Sequence, residues 1–422
     1  MSLNFNRDSD RAWWKKSGLW ILLLLLLFGM VYVIIWQVPF YKNAIRPRWY
    51  SQGDILTILF AIVSVLVPWL MIRVLKVPLP RWELNWKVVL GILTTGLLAS
   101  LNIAWVLTTR EAPTIKFADM LPIMDIMGGR FITGEDPYAI IPEIWGGMPP
   151  IYLPAYWMPY TISNWLSFDP RYINFVVFYG AILLTLFRYR KNGIWLLLSM
   201  IPIGAWFLRI HLEHPHIFTQ LPEILVIGYY ILLANALASK KQIPIAICLT
   251  LCTLSRYSFL LWIPTLIWYL WTNYSRKDFW QIGILTSVLG VFMMWISGAF
   301  AYLDFLLSIP NQYFIDVGDP AKGYKYTALI YEGLGLMRFF YPHNLELLKP
   351  ITLILGTSLP FAVYWKGRNN AQSAILIALL LALIVFCNFL IGPYIYLFFV
   401  IPFVGMVAFN QMVWDTGRVK AG

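Results

Sequence analysis

Long apolar runs alternate with short polar segments along the whole chain. A run of roughly 20 apolar residues is long enough to cross about 30 Å of hydrocarbon as an α-helix. The pattern predicts spans at 17–40, 55–75, 88–108, 172–188, 193–212, 216–238, 243–255, 257–271, 279–301, 349–366, 371–391 and 393–410. We therefore expect an all-α, polytopic membrane protein with about twelve transmembrane helices.

The composition supports this class. Hydrophobic residues make up 60% of the 422 residues, charged residues make up only 12%, and the mean hydropathy is +0.68. A soluble globule of this length needs more polar surface than that. We find no linker or soluble region, so we treat 1–422 as a single integral membrane domain.

Basic residues orient the spans, because Lys and Arg are retained on the cytoplasmic side of a membrane. Short basic loops lie at 73–87, 188–191, 240–241, 276–277 and 366–368. All of these loops lie on the cytoplasmic side, together with both termini, under two conditions. The segment 151–167 must not cross the membrane, and 243–271 must cross it twice, as two short helices broken at Ser255-Arg256-Tyr257. This topology puts two large loops, 109–171 and 302–348, on the extracytoplasmic side. We expect a bacterial inner (cytoplasmic) membrane.

The net charge of +12 does not indicate nucleic-acid binding. The positive charge is spread over the short cytoplasmic turns, where it meets anionic lipid headgroups. The three cysteines, Cys248, Cys252 and Cys387, all lie within predicted spans, so neither a disulfide framework nor a thiolate metal site is indicated.

The first outer loop is unusually acidic. Its segment 119–171 holds six of the 20 acidic residues. The tract MLPIMDIMGGRFI has apolar residues at near-helical spacing, and YLPAYWMPYTISNWLSF is rich in aromatic residues and broken by Pro154 and Pro159. Both patterns are typical of helices lying in the headgroup plane. We expect two extracytoplasmic juxtamembrane helices that roof a cavity.

Within this loop, Asp119 is followed by the turn Gly134-Glu-Asp-Pro137-Tyr138 and by Tyr152-Leu-Pro154. Farther along, TLCTLSRYSFLLWIPTLIW (250–268) contains two short apolar runs around Arg256. This pattern resembles the GT-C superfamily of glycosyltransferases, especially the branch that uses polyprenyl-phosphate-mannose. The resemblance covers roughly residues 115–270. It differs from the family in having three predicted spans before Asp119 where one is usual, and Arg256 where Lys is usual.

The resemblance implies a GT-C-like fold and the transfer of a sugar from a polyprenyl-phosphate donor lipid to a glycan or glycolipid acceptor. The chemistry of the residues agrees with it. Sugar transfer to a hydroxyl needs a carboxylate to accept a proton, and a phosphate leaving group needs fixed positive charge. Asp119 is the first candidate for the base and Asp125 the second. The alternative for each is a solvated loop carboxylate.

Arg256 is the main candidate for binding the donor phosphate, since a charged residue between apolar runs indicates function and guanidinium binds phosphate well. The alternative is that it snorkels or pairs with Glu223. Arg130 and Lys325 are weaker phosphate candidates, each of which an ordinary loop cation explains as well. Tyr138, in the turn, is assigned to substrate binding.

A second polar cluster precedes the span at 216–238. We assign Glu213, His214, His216 and Gln220 to substrate binding. Imidazole and carboxylate groups also suit a divalent metal such as Zn²⁺ or Mn²⁺, and a pH-responsive or structural turn is the remaining alternative. No cofactor is firmly implied, and we assign no metal ligands.

The sequence therefore predicts an inverting membrane glycosyltransferase that acts at the extracytoplasmic face. The alternatives are a lipid-linked-sugar flippase or transporter, and a noncatalytic component of polysaccharide assembly. The sequence does not identify the sugar, the acceptor or the linkage.

Overall fold

The computed structural model describes residues 62, 66–72, 91, 120–142, 149–193, 195–197, 199–200, 222–308, 336–340, 345–389 and 400–418. This part of the chain is helical and contains no strand, which confirms the all-α prediction. Predicted features at 1–61, 92–119 and 201–221 and in most of 309–344 lie outside the described residues.

We number the longer described helices in chain order. They are α1 Met120–Thr133, α2 Pro154–Trp157, α3 Thr161–Leu166, α4 Arg171–Tyr189, α5 Glu223–Ser239, α6 Gln242–Thr253, α7 Ile263–Asn273, α8 Arg276–Ile296, α9 Leu345–Gly367, α10 Ala371–Phe389 and α11 Val400–Arg418. Short 3₁₀ turns lie at Met158–Tyr160, Arg190–Asn192, Tyr257–Trp262, Ala299–Tyr302, Leu336–Phe339 and Arg368–Asn370.

In the part of the chain that the structure describes, three segments are long and apolar enough to span a membrane: Arg171–Asn192, Arg276–Ile296 and Pro350–Phe386. The last contains most of two predicted spans, which the structure folds as the hairpin of α9 and α10. Shorter apolar helices lie at Glu223–Ser239, Gln242–Thr253 and Ala299–Ser308. The protein is thus helical with membrane-spanning candidates, while the total of about twelve spans stays a prediction.

Two local predictions can be compared directly with the structure. The break at Ser255-Arg256-Tyr257 is confirmed, because α6 ends at Thr253 and the chain resumes as a 3₁₀ turn at Tyr257. The segment 154–166 folds as helical pieces of four, three and six residues. Together they are too short for the roughly 20 residues that a span requires, in line with the prediction that this segment does not cross.

The helices pack around α5, α10 and α11, whose side chains are mostly buried. Helix α5 contacts α4, α6 and α11, whereas α10 lies between α9 and α11. Helix α8 packs mainly on α6 and is peripheral, since only 11% of its apolar stretch is buried inside the protein.

Side-chain contacts show which helix ends lie together. At one end Arg188 and Gln372 both donate to the carbonyl of Ala238, and Ser373 donates to Asp415 over 2.7 Å. The basic turns 188–191, 240–241 and 366–368 are therefore clustered there. Contacts at the opposite end join α2 to α5 and to the break after α6. The acidic loop and the basic turns thus occupy opposite ends of the described bundle.

Candidate functional site at the helix break

Two backbone groups of Ala155 position the start of α2. Its N–H donates to the carbonyl of Leu254 over 3.0 Å, and its carbonyl accepts from the Tyr229 hydroxyl over 3.1 Å. The first contact joins α2 to the break after α6, and the second joins it to α5. Pro154, with its fixed φ, occupies the first helical position, where a missing N–H costs nothing.

Three side chains form a closed polar group at this junction. The Nη2 of Arg256 forms an ion pair with Oε1 of Glu223 and donates to the Tyr156 hydroxyl over 2.7 Å. The same hydroxyl donates to Oε2 of Glu223 over 2.8 Å. In addition, Cζ of Arg256 lies 4.4 Å from the centroid of the Tyr156 ring, within the range of a cation–π contact. We call Arg256, Glu223 and Tyr156 the junction triad.

The two charged side chains of the junction triad are largely buried, so each compensates the charge of the other. The side chain of Glu223 is only 1% exposed, and that of Arg256 is 13% exposed. Removing one partner of a buried ion pair leaves the other charge uncompensated, which costs about 3–5 kcal/mol. The alternative that Arg256 pairs with Glu223 is therefore what the structure shows. Of the two charged side chains, that of Arg256 keeps some exposed surface, whereas that of Glu223 is almost completely buried.

The start of α1 reaches the same place. The Tyr156 hydroxyl lies 3.5 Å from Sδ of Met120, the first described residue of α1. Tyr152 stacks on Tyr156 with ring centroids 5.0 Å apart. The candidate base Asp119 precedes Met120 in the chain and lies outside the described residues.

The turn at 134–138 has a structural role in this fold. The hydroxyl of Tyr138 donates to the carbonyl of Tyr152 over 2.9 Å and accepts from Trp157 Nε1 over 3.1 Å. The ring is fully buried, and this burial raises the pKa of the phenol. These contacts give Tyr138 a packing role and leave its assignment to substrate binding without structural support.

Arg130 and Asp136 also fasten this turn. Arg130 donates to the carbonyls of Ala139 and Ile140, over 2.5 and 3.2 Å. Asp136 accepts from the backbone N–H of Tyr138 over 2.9 Å and from the Tyr302 hydroxyl. Gly134 has a φ of +76°, which glycine adopts without strain. Among the weaker phosphate candidates, Arg130 is thus engaged in closing the loop.

Asp125 belongs to a different group. It follows Met120 by five residues, about 140° around a helix. Its backbone carbonyl accepts from Asn164 over 3.1 Å, and burial together with the charge of Asp169 raises the pKa of its carboxyl against the opposing hydrogen bond from Asn164. Asp169 itself is paired with the buried Arg171. Asp125 thus has different partners from Arg256, which contacts Tyr156 and Glu223.

The remaining predicted site residues lie outside the described residues: Glu213, His214, His216, Gln220 and Lys325. Within the described part of the chain, no group of three or more His, Cys, Asp or Glu residues is arranged to hold a metal ion.

Tyr156 is the site residue that the sequence analysis missed. Its tract was interpreted only as interfacial, because aromatic residues are common at membrane surfaces. Nothing local distinguishes Tyr156 from the other aromatic residues of this tract, because its partners Glu223 and Arg256 lie far along the chain.

No family model, curated protein or solved structure matches this chain. Its function is therefore inferred from the chemistry of the residues described above.

Proposed function

We propose that this protein is a membrane glycosyltransferase that moves a sugar from a polyprenyl-phosphate donor to a glycan or glycolipid acceptor at the extracytoplasmic face, with inversion. The observation that carries the proposal is the part-buried guanidinium of Arg256 at a break between two apolar helices. The side chain of Arg256 is 13% exposed, whereas that of its partner Glu223 is 1% exposed. A planar guanidinium in apolar surroundings is well suited to bind a phosphate that is attached to a lipid chain.

The proposed reaction is a single displacement. The acceptor hydroxyl forms a bond to the anomeric carbon of the sugar, and the bond from that carbon to the phosphate oxygen breaks. The polyprenyl phosphate leaves with the bonding electrons, and a carboxylate takes the hydroxyl proton. Arg256 would stabilise the negative charge that develops on the leaving phosphate.

We retain Asp119 as the proposed base. Asp125 is a poorer choice, since its surroundings are Asn164 and Asp169 and its position on α1 faces away from that of Met120. Asp119 directly precedes Met120, whose sulfur touches Tyr156. The assignment rests on this chain position and on the resemblance to GT-C enzymes.

Glu223 gives the proposal a specific electrostatic consequence. It neutralises Arg256 when no donor is bound, so the donor phosphate would compete with it for the guanidinium. We expect Glu223→Gln to keep the size of the side chain and to strengthen donor binding. A purely structural ion pair predicts no such gain.

The test uses purified protein, a polyprenyl-phosphate sugar and candidate acceptors. We expect Asp119→Asn to lower turnover by roughly 10²–10⁴-fold with donor binding retained. Arg256→Met should weaken donor binding by about 10–150-fold, which corresponds to a charge-assisted contact of about 1.5–3 kcal/mol. The double variant Arg256→Met with Glu223→Gln removes both charges together and controls for misfolding. Normal donor affinity in the folded double variant would show that the phosphate is held elsewhere.

A lipid-linked-sugar flippase or transporter is the second candidate function. The observation in its favour is the discontinuous helix at 254–256 with a charged residue at the break, because interrupted helices bind substrates in many transporters. Reconstituted vesicles separate the two candidates. Translocation of the intact donor lipid without release of its sugar would favour the flippase and overturn the proposed transferase.

A further inference from the structure

The basic end of the helix bundle carries a cluster of exposed aromatic rings. Trp268, Trp271 and Trp365 are between 39% and 47% exposed. The ring centroids of Trp268 and Trp365 are 6.1 Å apart, and Trp271 follows Trp268 by three residues, on a neighbouring position of α7. Trp268 and Trp365 thus join α7 to α9, and Trp271 lies about one turn farther along α7.

Two arginines lie directly on this aromatic surface. Cζ of Arg276 is 3.2 Å from the centroid of Trp271, and Cζ of Arg368 is 4.2 Å from that of Trp365. Both side chains are exposed, and among the described residues neither has a carboxylate partner. We call Trp268, Trp271, Trp365, Arg276 and Arg368 the tryptophan–arginine patch.

Polar contacts hold the two helices of the patch in register. Asn273 donates to the Tyr364 hydroxyl over 2.8 Å, and the Thr272 hydroxyl lies 3.4 Å from the same oxygen. These contacts are next to Trp271 and Trp365 in the chain. The spacing between α7 and α9, the helices that carry the three tryptophans, is therefore fixed by the fold.

The charge of the patch is strongly unbalanced. Lys277 and Lys366 are exposed beside the two arginines. The nearby carboxylate, Asp278, accepts a hydrogen bond from the Ser275 hydroxyl over 2.8 Å at the start of α8. The segments 275–278 and 365–368 thus carry four cations and one carboxylate. Arg276 and Lys277 also stand in the first turn of α8, where the helix dipole disfavours cations and favours an anion.

The surface next to the patch indicates that the anion belongs to a lipid. Helix α8 starts at Arg276 and is long and apolar enough to span a membrane. Only 11% of its apolar stretch is buried by the rest of the protein. Exposed apolar side chains follow one another along it, at Trp280, Ile284, Val288 and Trp295. An acyl chain running along this helix would place its headgroup at the patch.

We propose that the tryptophan–arginine patch is a binding site for the phosphate headgroup of an anionic phospholipid, with an acyl chain lying along α8. The guanidinium groups bind the phosphate oxygens and the indoles lie at the level of the headgroups, the depth that Trp prefers in membranes. This site is at the opposite end of the bundle from the junction triad and does not depend on the proposed transferase activity.

The experiment compares lipid preference in purified full-length protein. Detergent-solubilised protein is mixed with equal amounts of phosphatidylglycerol and phosphatidylcholine, and the bound lipids are counted by native mass spectrometry. We expect the wild type to prefer phosphatidylglycerol. Arg276→Gln with Arg368→Gln should reduce this preference by about fivefold for each arginine removed, the factor that corresponds to about 1 kcal/mol per basic residue at an anionic surface.

The matched control is Lys240→Gln with Lys241→Gln, which removes two charges from another basic turn at the same end. This control should retain the preference. An equal loss in both double variants would show a general effect of positive charge and overturn the proposed site.

Two further arms complete the test. Arg276→Lys with Arg368→Lys keeps the charge but loses the planar stacking group, and it should bind phosphatidylglycerol more weakly than the wild type while remaining folded. Inorganic phosphate added at the concentration of the lipid should not displace phosphatidylglycerol. Displacement would show that the patch recognises a free phosphate and not a lipid.

Discussion

At the scale of single residues, the junction triad shows how one hydroxyl couples two charges. The Tyr156 hydroxyl accepts a hydrogen bond from Arg256 and donates one to Glu223. Loss of this hydroxyl would leave the ion pair in place but remove the group that fixes both side chains relative to α2. The position of the guanidinium therefore depends on an aromatic residue that lies 100 positions earlier in the chain.

Asp125 gives a prediction about pH at the same scale. Because burial raises the pKa of its carboxyl above the usual value of 3.8, the folded protein binds this proton more tightly than the unfolded chain does. Its contribution to the free energy of unfolding is therefore greatest below the unfolded pKa and is lost as the pH rises through the folded pKa. Asp125→Asn should raise the melting temperature at neutral pH, with the gain shrinking toward acid pH.

Thermal unfolding in detergent at several pH values measures this effect. Asp136→Asn is a suitable comparison, since that carboxyl accepts hydrogen bonds from Tyr138 and Tyr302 and its loss should destabilise the loop. A destabilised Asp125→Asn at neutral pH would contradict the prediction.

The sequence predicts residue types at the site better than it predicts their partners. The cost of a charge between two apolar runs identifies Arg256, and Glu223 is an evident partner because both lie in apolar surroundings. Tyr156 is not predictable in this way, since nothing local distinguishes it from the other interfacial aromatic residues. Tyr138 is the opposite case. It matches the family pattern and was assigned to substrate binding, but its hydroxyl bonds to Tyr152 and Trp157 inside the core.

At the scale of secondary structure, α1 and α3 approach each other closely at one glycine. A Cβ built on Gly128 would lie 2.7 Å from Nδ2 of Asn164 and 3.2 Å from the backbone nitrogen of Thr161. A backbone atom cannot move aside as a side chain can. We therefore expect Gly128→Ala to destabilise the protein by about 1–3 kcal/mol through overpacking.

The next residue provides a matched control. The nearest atom to a Cβ on Gly129 is Oδ1 of Asn164 at 3.8 Å, an ordinary contact. Gly129→Ala should therefore be neutral or stabilising by up to about 1 kcal/mol, because Ala favours a helix more than Gly does. Melting temperatures of the two variants test the pair. Equal stability of both would show that α1 and α3 are not in close contact.

Helices are the elements that the hydrophobic pattern predicts best here. Spans at 172–188, 279–301 and 371–391 coincide closely with α4, α8 and α10, since a long apolar run has few alternatives to a helix. The ends are predicted less closely, since α8 runs from Arg276 to Ile296 whereas the apolar run suggests 279–301. The pattern also gives no information on neighbours, so the packing of α5 against α4, α6 and α11 had no sequence signal.

At the scale of the whole molecule, the two ends of the bundle differ in charge and chemistry. The junction triad, the acidic turn at 134–138 and Tyr302 lie at one end. The basic turns and the tryptophan–arginine patch lie at the other. Because Lys and Arg are retained on the cytoplasmic side of membranes, we expect the end with the triad to face outward.

This arrangement predicts the outcome of cysteine labelling. Single cysteines replacing Glu135 and Lys277 should react with a membrane-impermeant thiol reagent from opposite sides, position 135 from outside and position 277 only after the membrane is opened. Cys248, Cys252 and Cys387 are replaced first, so that only the introduced thiol reports. Labelling of both positions from the same side would refute the orientation and, with it, an extracytoplasmic triad.

The hydrogen bond from the N–H of Ala155 to the carbonyl of Leu254 has a consequence for divergence. Both groups belong to the main chain, so substitution of either side chain leaves the hydrogen bond intact. Only proline at position 155, or a change in loop length, removes it. Distant descendants of this protein can therefore keep the alignment of α2 with the helix break while retaining little of the surrounding sequence.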